Sequence, residues 1–180
     1  MAFGGRFFAG FGAVLFLVTS SALTIAVIMS ARSNNNNNST PSSLAATPNS
    51  SSCPNGYDVK VGDTLPGYTP QNSAIAHLEP IDISIGSGAT VKSGATVTAC
   101  YIGALVKTGK VFDTSSAHGG PASFSLSSVI TGWQLGIPGM KVGGVRELLI
   151  PAAMAYGSQA VSGIPANSDL LFYVSIVSTK

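Results

Sequence analysis

The stretch VITGWQLGIPGMKVGGVRELLIPAAMAYG, residues 129–157, is the one whose reading decides the fold. Trp133, the only tryptophan of the chain, lies in a short apolar run. Gly136 and Pro138 limit that run to a couple of helical turns, because proline lacks an N–H and crowds the preceding turn. Gly143-Gly144 then reads as a turn, Val145–Ile150 as a strand, and the loop beyond as the carrier of Tyr156. Trp and Tyr join a large apolar body to a polar tip, so they suit the floor and rim of a pocket. Composition alone favours the plainer reading, that Trp133 is simply the largest core residue of a small domain.

On either side of this stretch the pattern is one of short strands and glycine turns. Ile81, Ile83 and Ile85 alternate before Gly86-Ser87-Gly88, and Val91-Lys92-Ser93-Gly94 reads as a turn. Across Thr96–Ile102 the two-residue period puts Val97, Ala99 and Tyr101 on one face and Thr98, Cys100 and Ile102 on the other. Lys107-Thr108-Gly109-Lys110 suits a hairpin into Val111-Phe112-Asp113, and Phe124 and Leu126 alternate after it. The last strand, Asp169–Val177, puts Leu170, Phe172, Val174 and Ile176 on one face. Several antiparallel strands and one short helix predict an α+β domain, an antiparallel sheet wrapped over that helix, spanning residues 79–180.

Ahead of it the chain changes character three times. Phe7 to Ala31 carries no charge and is bounded by Arg6 and Arg32. That length suffices for the hydrocarbon core of about 30 Å, which needs roughly 20 residues. A cleaved signal peptide has an apolar region of about 7–15 residues and an A-x-A-like site. This run is longer and lacks such a site, so residues 1–32 read as an uncleaved transmembrane anchor with the N-terminus inside. The domain is then extracytoplasmic and membrane-attached, or secreted if the segment is cleaved. Residues 33–52, rich in Asn, Ser, Thr and Pro, read as a disordered tether. Residues 53–78 hold Pro66, Gly67 and Pro70 and read as an irregular lead-in with at most one short strand.

Charged residues make up only 9% of the chain and the net charge is +2, with no Lys/Arg cluster, which argues against nucleic acid as a partner. Two histidines, no G-x-S-x-G elbow, no Walker A loop and no H-E-x-x-H pair leave no conventional catalytic set, and no metal or cofactor is expected. Arg146 and Glu147, consecutive on a strand, are expected on opposite faces and in solvent. Asp113, followed by Thr114 and Ser115, reads on its own as a turn cap.

Taken together, several segments carry a resemblance. Tyr101-Ile102-Gly103, Gly109 through Ser115, Val129 through Trp133, Gly139 through Gly144, Ala155-Tyr156-Gly157 and Ile164 through Asn167 occur in this order ahead of Leu170–Val174. Residues 79–180 thereby resemble the FKBP-type peptidyl-prolyl cis–trans isomerase domain. The resemblance implies an apolar pocket between sheet and helix lined by Tyr101, Phe112, Asp113, Val129, Ile130, Trp133, Tyr156, Ile164 and Phe172. It makes Trp133 the floor, gives the Ile130 N–H and the Tyr156 hydroxyl to a substrate carbonyl, and sets Asp113 beside the twisted prolyl bond. It implies proline-containing polypeptides as substrates, and macrolides of the tacrolimus and rapamycin type as ligands.

The chain departs from the family pattern at a few places. Ser127-Ser128 shortens the segment before Trp133, and Ala122 stands where an aromatic residue is usual, which should open one wall. His118 replaces the arginine often paired with the aspartate, so an Asp113–His118 contact would be sensitive to pH. The expected activity is X–Pro isomerisation during folding of extracytoplasmic proteins. The alternative is a noncatalytic module or holding chaperone that grips proline segments. If Tyr101 points into the pocket, Cys100 points away, and a Cys53–Cys100 disulfide would tie the lead-in across the outer face; two independent thiols are the other expectation.

Overall fold

The computed structural model describes Cys53 and residues 59–180. The anchor and tether assigned to residues 1–52 lie outside the described residues. Among the described residues no helix is long and apolar enough to cross a membrane.

Six strands form one sheet: β1 Glu79–Ser84, β2 Thr96–Leu105, β3 Val111–Thr114, β4 Ala122–Ser125, β5 Val145–Ile150 and β6 Leu170–Thr179. Among the described residues there is a single α-helix, α1, Thr131–Gly136, and three short 3-10 turns, Ser115–His118, Leu126–Ser128 and Ala152–Met154. The strand order is β1-β5-β6-β2-β3, all antiparallel, with β4 also paired to β2. β3 and β4 share one edge of β2: β3 pairs with Ile102–Ala104 and β4 with Thr96–Ala99. The turn Ser115–His118 separates them, closed by Gly119 at φ 87.

Alternation builds two separate cores, one on each face of the sheet. Val97, Ala99 and Tyr101 of β2, Leu148 and Ile150 of β5, and Leu170, Phe172, Val174 and Ile176 of β6 pack with Trp133 and Ile137 from the helix side. On the opposite face lie Cys100, Ile102, Ala104, Leu149 and Leu171. Close approach of α1 to the sheet depends on Gly132, where a Cβ would stand 2.4 Å from Ile150 Cγ2. No larger residue fits between helix and strand there.

The lead-in supplies what covers the outer face. Its Leu65 is buried, and Tyr68, Ile75, Val59 and Cys53 pack against the second core. Apart from a single Thr64–Lys110 bridge it is irregular. Its described residues are nevertheless bonded to the β2–β3 hairpin: Gly62 N–H donates to the Val111 carbonyl (2.8 Å), Leu65 N–H to Gly109 (2.9 Å), and the Tyr68 hydroxyl to Val106. Cys53 and Cys100 are joined as a disulfide with their Cα atoms 5.6 Å apart.

The expectation that Arg146 and Glu147 are solvated is corrected. They do occupy opposite faces, but β1 pairs Asp82 with Arg146, whose side chain is only 12% exposed. Its guanidinium donates from Nε to Asp82 Oδ1 (2.6 Å), from Nη2 to Oδ2 (3.0 Å), and from Nη1 to the Gly136 carbonyl (2.6 Å). That last bond satisfies a carbonyl at the end of α1. Glu147 is half-buried on the other face, beside the Tyr173 hydroxyl, whose titration it helps to raise.

Candidate functional site

The centre of the helix side is an aromatic cluster. Trp133, 4% exposed, makes edge-to-face contacts with Tyr101 at 5.7 Å, Phe124 at 5.3 Å and Phe172 at 5.3 Å between ring centroids. Phe112 meets Phe172 edge-on at 5.6 Å. Edge-to-face contacts of this kind favour the quadrupoles of the rings over a stacked sandwich. Each ring is placed by its element: Tyr101 and Phe172 by the inward phase of β2 and β6, Phe112 by β3, Trp133 by α1. Gly103, between Phe112 and Phe172, makes their contact with β2 feasible; a Cβ there would stand 2.7 Å from both rings.

Of the nine residues expected to line a pocket, Tyr101, Trp133, Ile164 and Phe172 are buried in this core, and Phe112, Val129 and Ile130 pack against it half-buried. Asp113 joins through a hydrogen bond, its Oδ2 accepting from the Tyr101 hydroxyl at 2.7 Å. Tyr156 stands at the rim, 39% exposed, close enough to Tyr101 to act on its titration. Its hydroxyl has no partner among the described residues, and neither has the Ile130 N–H, although the Ile130 carbonyl accepts from Trp133 N–H at 2.9 Å and Gln134 N–H at 3.2 Å. Phe124 was not among the expected residues. The signal for it is the two-residue period of β4, which gives Ala122 and Phe124 the same face.

The polar corner is built around Asp113. Its Oδ1 accepts from Thr114 N–H (2.9 Å) and faces His118 Nε2 (2.8 Å). Burial, then the hydrogen bond and charge of Asp113, then Tyr156, push the Tyr101 hydroxyl far above the usual phenol range, so it is a neutral donor at every ordinary pH. Ser115, fully buried, accepts from Tyr101 N–H at 3.1 Å and lies 3.3 Å from Cys53 Sγ, so the outer clasp and the inner site meet at β2. A separate cleft of about 380 Å³ lies between residues 71–74, 105–108 and 165–169 and contains none of the nine.

Nothing in this arrangement offers a nucleophile with a base, and among the described residues no three His, Cys, Asp or Glu side chains gather as metal ligands. What it offers is an aromatic surface, two uncommitted donors at its edge, and a carboxylate held in place.

Residues 87–177 match the family model described as FKBP-type peptidyl-prolyl cis-trans isomerase. The FK506-binding protein 3 of Candida albicans is 55% identical over 101 residues, which are 55% of this chain and 23% of that protein. A peptidyl-prolyl cis-trans isomerase of Saccharomyces cerevisiae is 52% identical over 101 residues, 55% of this chain and 24% of its own length. The chain thus spans about a quarter of the curated relatives it matches. Among solved structures, FkpA from Escherichia coli superposes with a TM-score of 0.54 at 42% identity, covering 57% of this chain and 48% of its own. AtFKBP13 superposes with a TM-score of 0.52 at 35% identity, covering 59% and 96%.

Proposed function

The chain belongs to the FKBP-type peptidyl-prolyl cis-trans isomerase family, and from that premise we propose that it accelerates rotation about X–Pro bonds in polypeptides. The observation that carries this reading is the aromatic cluster around Trp133 with two donors, Ile130 N–H and Tyr156 hydroxyl, at its margin and unpaired among the described residues. A pyrrolidine ring laid over the indole would be enclosed by Phe112, Val129, Ile130, Ile164 and Phe172. Its flanking carbonyls would then face the two donors.

The chemistry required is physical. Amide resonance opposes rotation with a barrier of roughly 18–20 kcal/mol, and free exchange takes tens to hundreds of seconds. Resonance loads the carbonyl oxygen with charge that water stabilises in the planar form. An apolar surface that removes this water raises the planar state relative to the twisted one, and donors aligned to the twisted amide hold it more tightly. Lowering the barrier by about 5 kcal/mol would speed exchange on the order of several thousandfold. Asp113 fixes the Tyr101 ring by its hydrogen bond, and with it one wall.

The test is a protease-coupled assay on an X–Pro tetrapeptide with the full chain, repeated with Asp113→Ala and Tyr156→Phe. A rate that rises with protein concentration and falls in both variants supports the reading; an unaltered rate at high protein concentration ends it. One observation favours a second reading, a proline-gripping module without turnover. Trp133 is only 4% exposed, so little indole face is open to a ring, and Ala122 removes bulk from the wall that would hold it. Proline-peptide binding with no change in exchange rate would select that module.

Macrolides of the tacrolimus and rapamycin type are proposed ligands of the same surface, on the family membership and the names of the relatives. The uncharged run Phe7–Ala31 and the polar tether behind it support a membrane-attached, extracytoplasmic enzyme that serves chains folding beyond the membrane.

A further inference from the structure

We propose that His118 decides, through its protonation, which charged residues beside proline the site prefers. The inference rests on the isomerase reading and concerns the exposed edge of the same site. The carboxylate of Asp113 is 39% exposed and the imidazole of His118 58%, and Asp113 is bonded to Tyr101 of the aromatic cluster, so a residue beside a proline held on that cluster would have both groups open to it.

An ionised carboxylate only accepts hydrogen bonds. Asp113 takes one from the Tyr101 hydroxyl on Oδ2, and on Oδ1 one from Thr114 N–H and one from His118 Nε2 at 2.8 Å. The Nε2 atom therefore carries the proton, whether the ring is the neutral Nε2–H tautomer or the imidazolium. The contact is kept in both states and its charge is not: with a neutral ring the pair is a net anion, with the imidazolium it is neutral.

The titratable groups facing this carboxylate are few. Tyr101 of β2 stays protonated, since its buried hydroxyl titrates far above its usual range, and Tyr156, from the loop after β5, bears on the corner through Tyr101. Arg146 is engaged with Asp82 and the end of α1. Among the described residues no lysine or arginine is paired with Asp113. A histidine side chain ordinarily changes charge between about pH 5 and 8. A lysine beside proline should gain from the uncompensated carboxylate as pH rises, and a glutamate should lose. For one charge switched at roughly 7 Å through a watery edge, the effect on each peptide is about threefold, less at high salt.

The experiment compares two peptides alike except for Lys-Pro or Glu-Pro, both of which keep their charge from about pH 5.5 to 8. Exchange is followed by NMR, without a coupling protease that would itself titrate. The quantity read is the ratio of the two kcat/KM values, in which folding defects and general losses of activity cancel. In the natural chain the Lys/Glu ratio should rise about three- to tenfold with pH. In His118→Gln it should be flat at the high value, and in His118→Arg flat at the low one, with added salt compressing the spread. A ratio independent of pH in the natural chain, or one that still shifts in both variants, overturns the role of His118 and leaves isomerisation standing. Absence of catalysis on both peptides at every pH overturns the isomerase reading and this inference with it.

Discussion

Gly103 shows how a single side chain's absence shapes the site. A Cβ there would stand 2.7 Å from Phe112 Cζ and 2.7 Å from Phe172 Cε1, and both rings are wedged edge-on against each other. Gly103→Ala should therefore cost about 1–3 kcal/mol by overpacking, read as a lower urea midpoint at unchanged slope. It should also lower kcat/KM, since Phe172 cannot yield without leaving Trp133. Tyr156→Phe should do the opposite in stability: its hydroxyl has no partner among the described residues, so the urea midpoint should hold while kcat/KM falls up to about tenfold. A matching loss of stability would show the hydroxyl to be structural. Tyr101 and Tyr173 add a pH dependence. Both hydroxyls titrate above their unfolded value, chiefly through burial, so their stabilising contribution is complete below about pH 10 and is lost as pH rises from there toward the folded values. The urea midpoint should decline on that alkaline limb, and less steeply in Tyr173→Phe.

Strands β2 and β6 were legible in the sequence because each puts one clean apolar set on the helix side, β5 as a short run after the Gly143-Gly144 turn, and α1 because Gly136 and Pro138 leave it no room to continue. Which strand lies beside which was not legible, as pairing is settled by topology rather than by any strand's own pattern. That is why Arg146 looked solvated: its partner Asp82 lies 64 residues away, brought opposite only by the β1–β5 register. Arg146→Met should cost about 1.5–3 kcal/mol, because a charged donor to the end of α1 is removed and Asp82 is left alone. The lead-in was opaque for a related reason. Its Pro and Gly residues forbid a regular element, yet its apolar residues cover the second core, so it contributes by packing that has no period to read. The Cys53–Cys100 bond closes this cover across a sequence separation of 47. Its reduction, or Cys53→Ser, should lower stability by about 2–4 kcal/mol, measured as the urea midpoint with and without reductant. An unchanged midpoint would mean that Tyr68 and Leu65 hold the cover without it.

At the scale of the whole molecule the question is where such a domain works, and three features bear on it together. Residues 7–31 carry no charge, residues 33–52 are polar and low in apolar content, and the described domain is closed by a disulfide, which persists in oxidising compartments and is rare in the cytosol. If residues 7–31 serve as the proposed anchor, a polar linker behind them would keep the domain in the zone beside a membrane and raise its effective concentration toward chains emerging there. The expected outcome is that the full chain remains with membranes after alkaline carbonate washing, whereas a chain beginning at Cys53 is released. Protease added outside intact cells should then cut the tether and free an active domain. A leucine replaced by arginine at the middle of the run, Leu17→Arg, should weaken insertion by about 2.5–3.5 kcal/mol on the translocon scale and shift chain into the soluble fraction. Should the full chain wash off as readily as the shortened one, the apolar run is not an anchor. If the released material then also lacks residues 1–32, it is a cleaved leader, and the domain acts in free solution outside the cell.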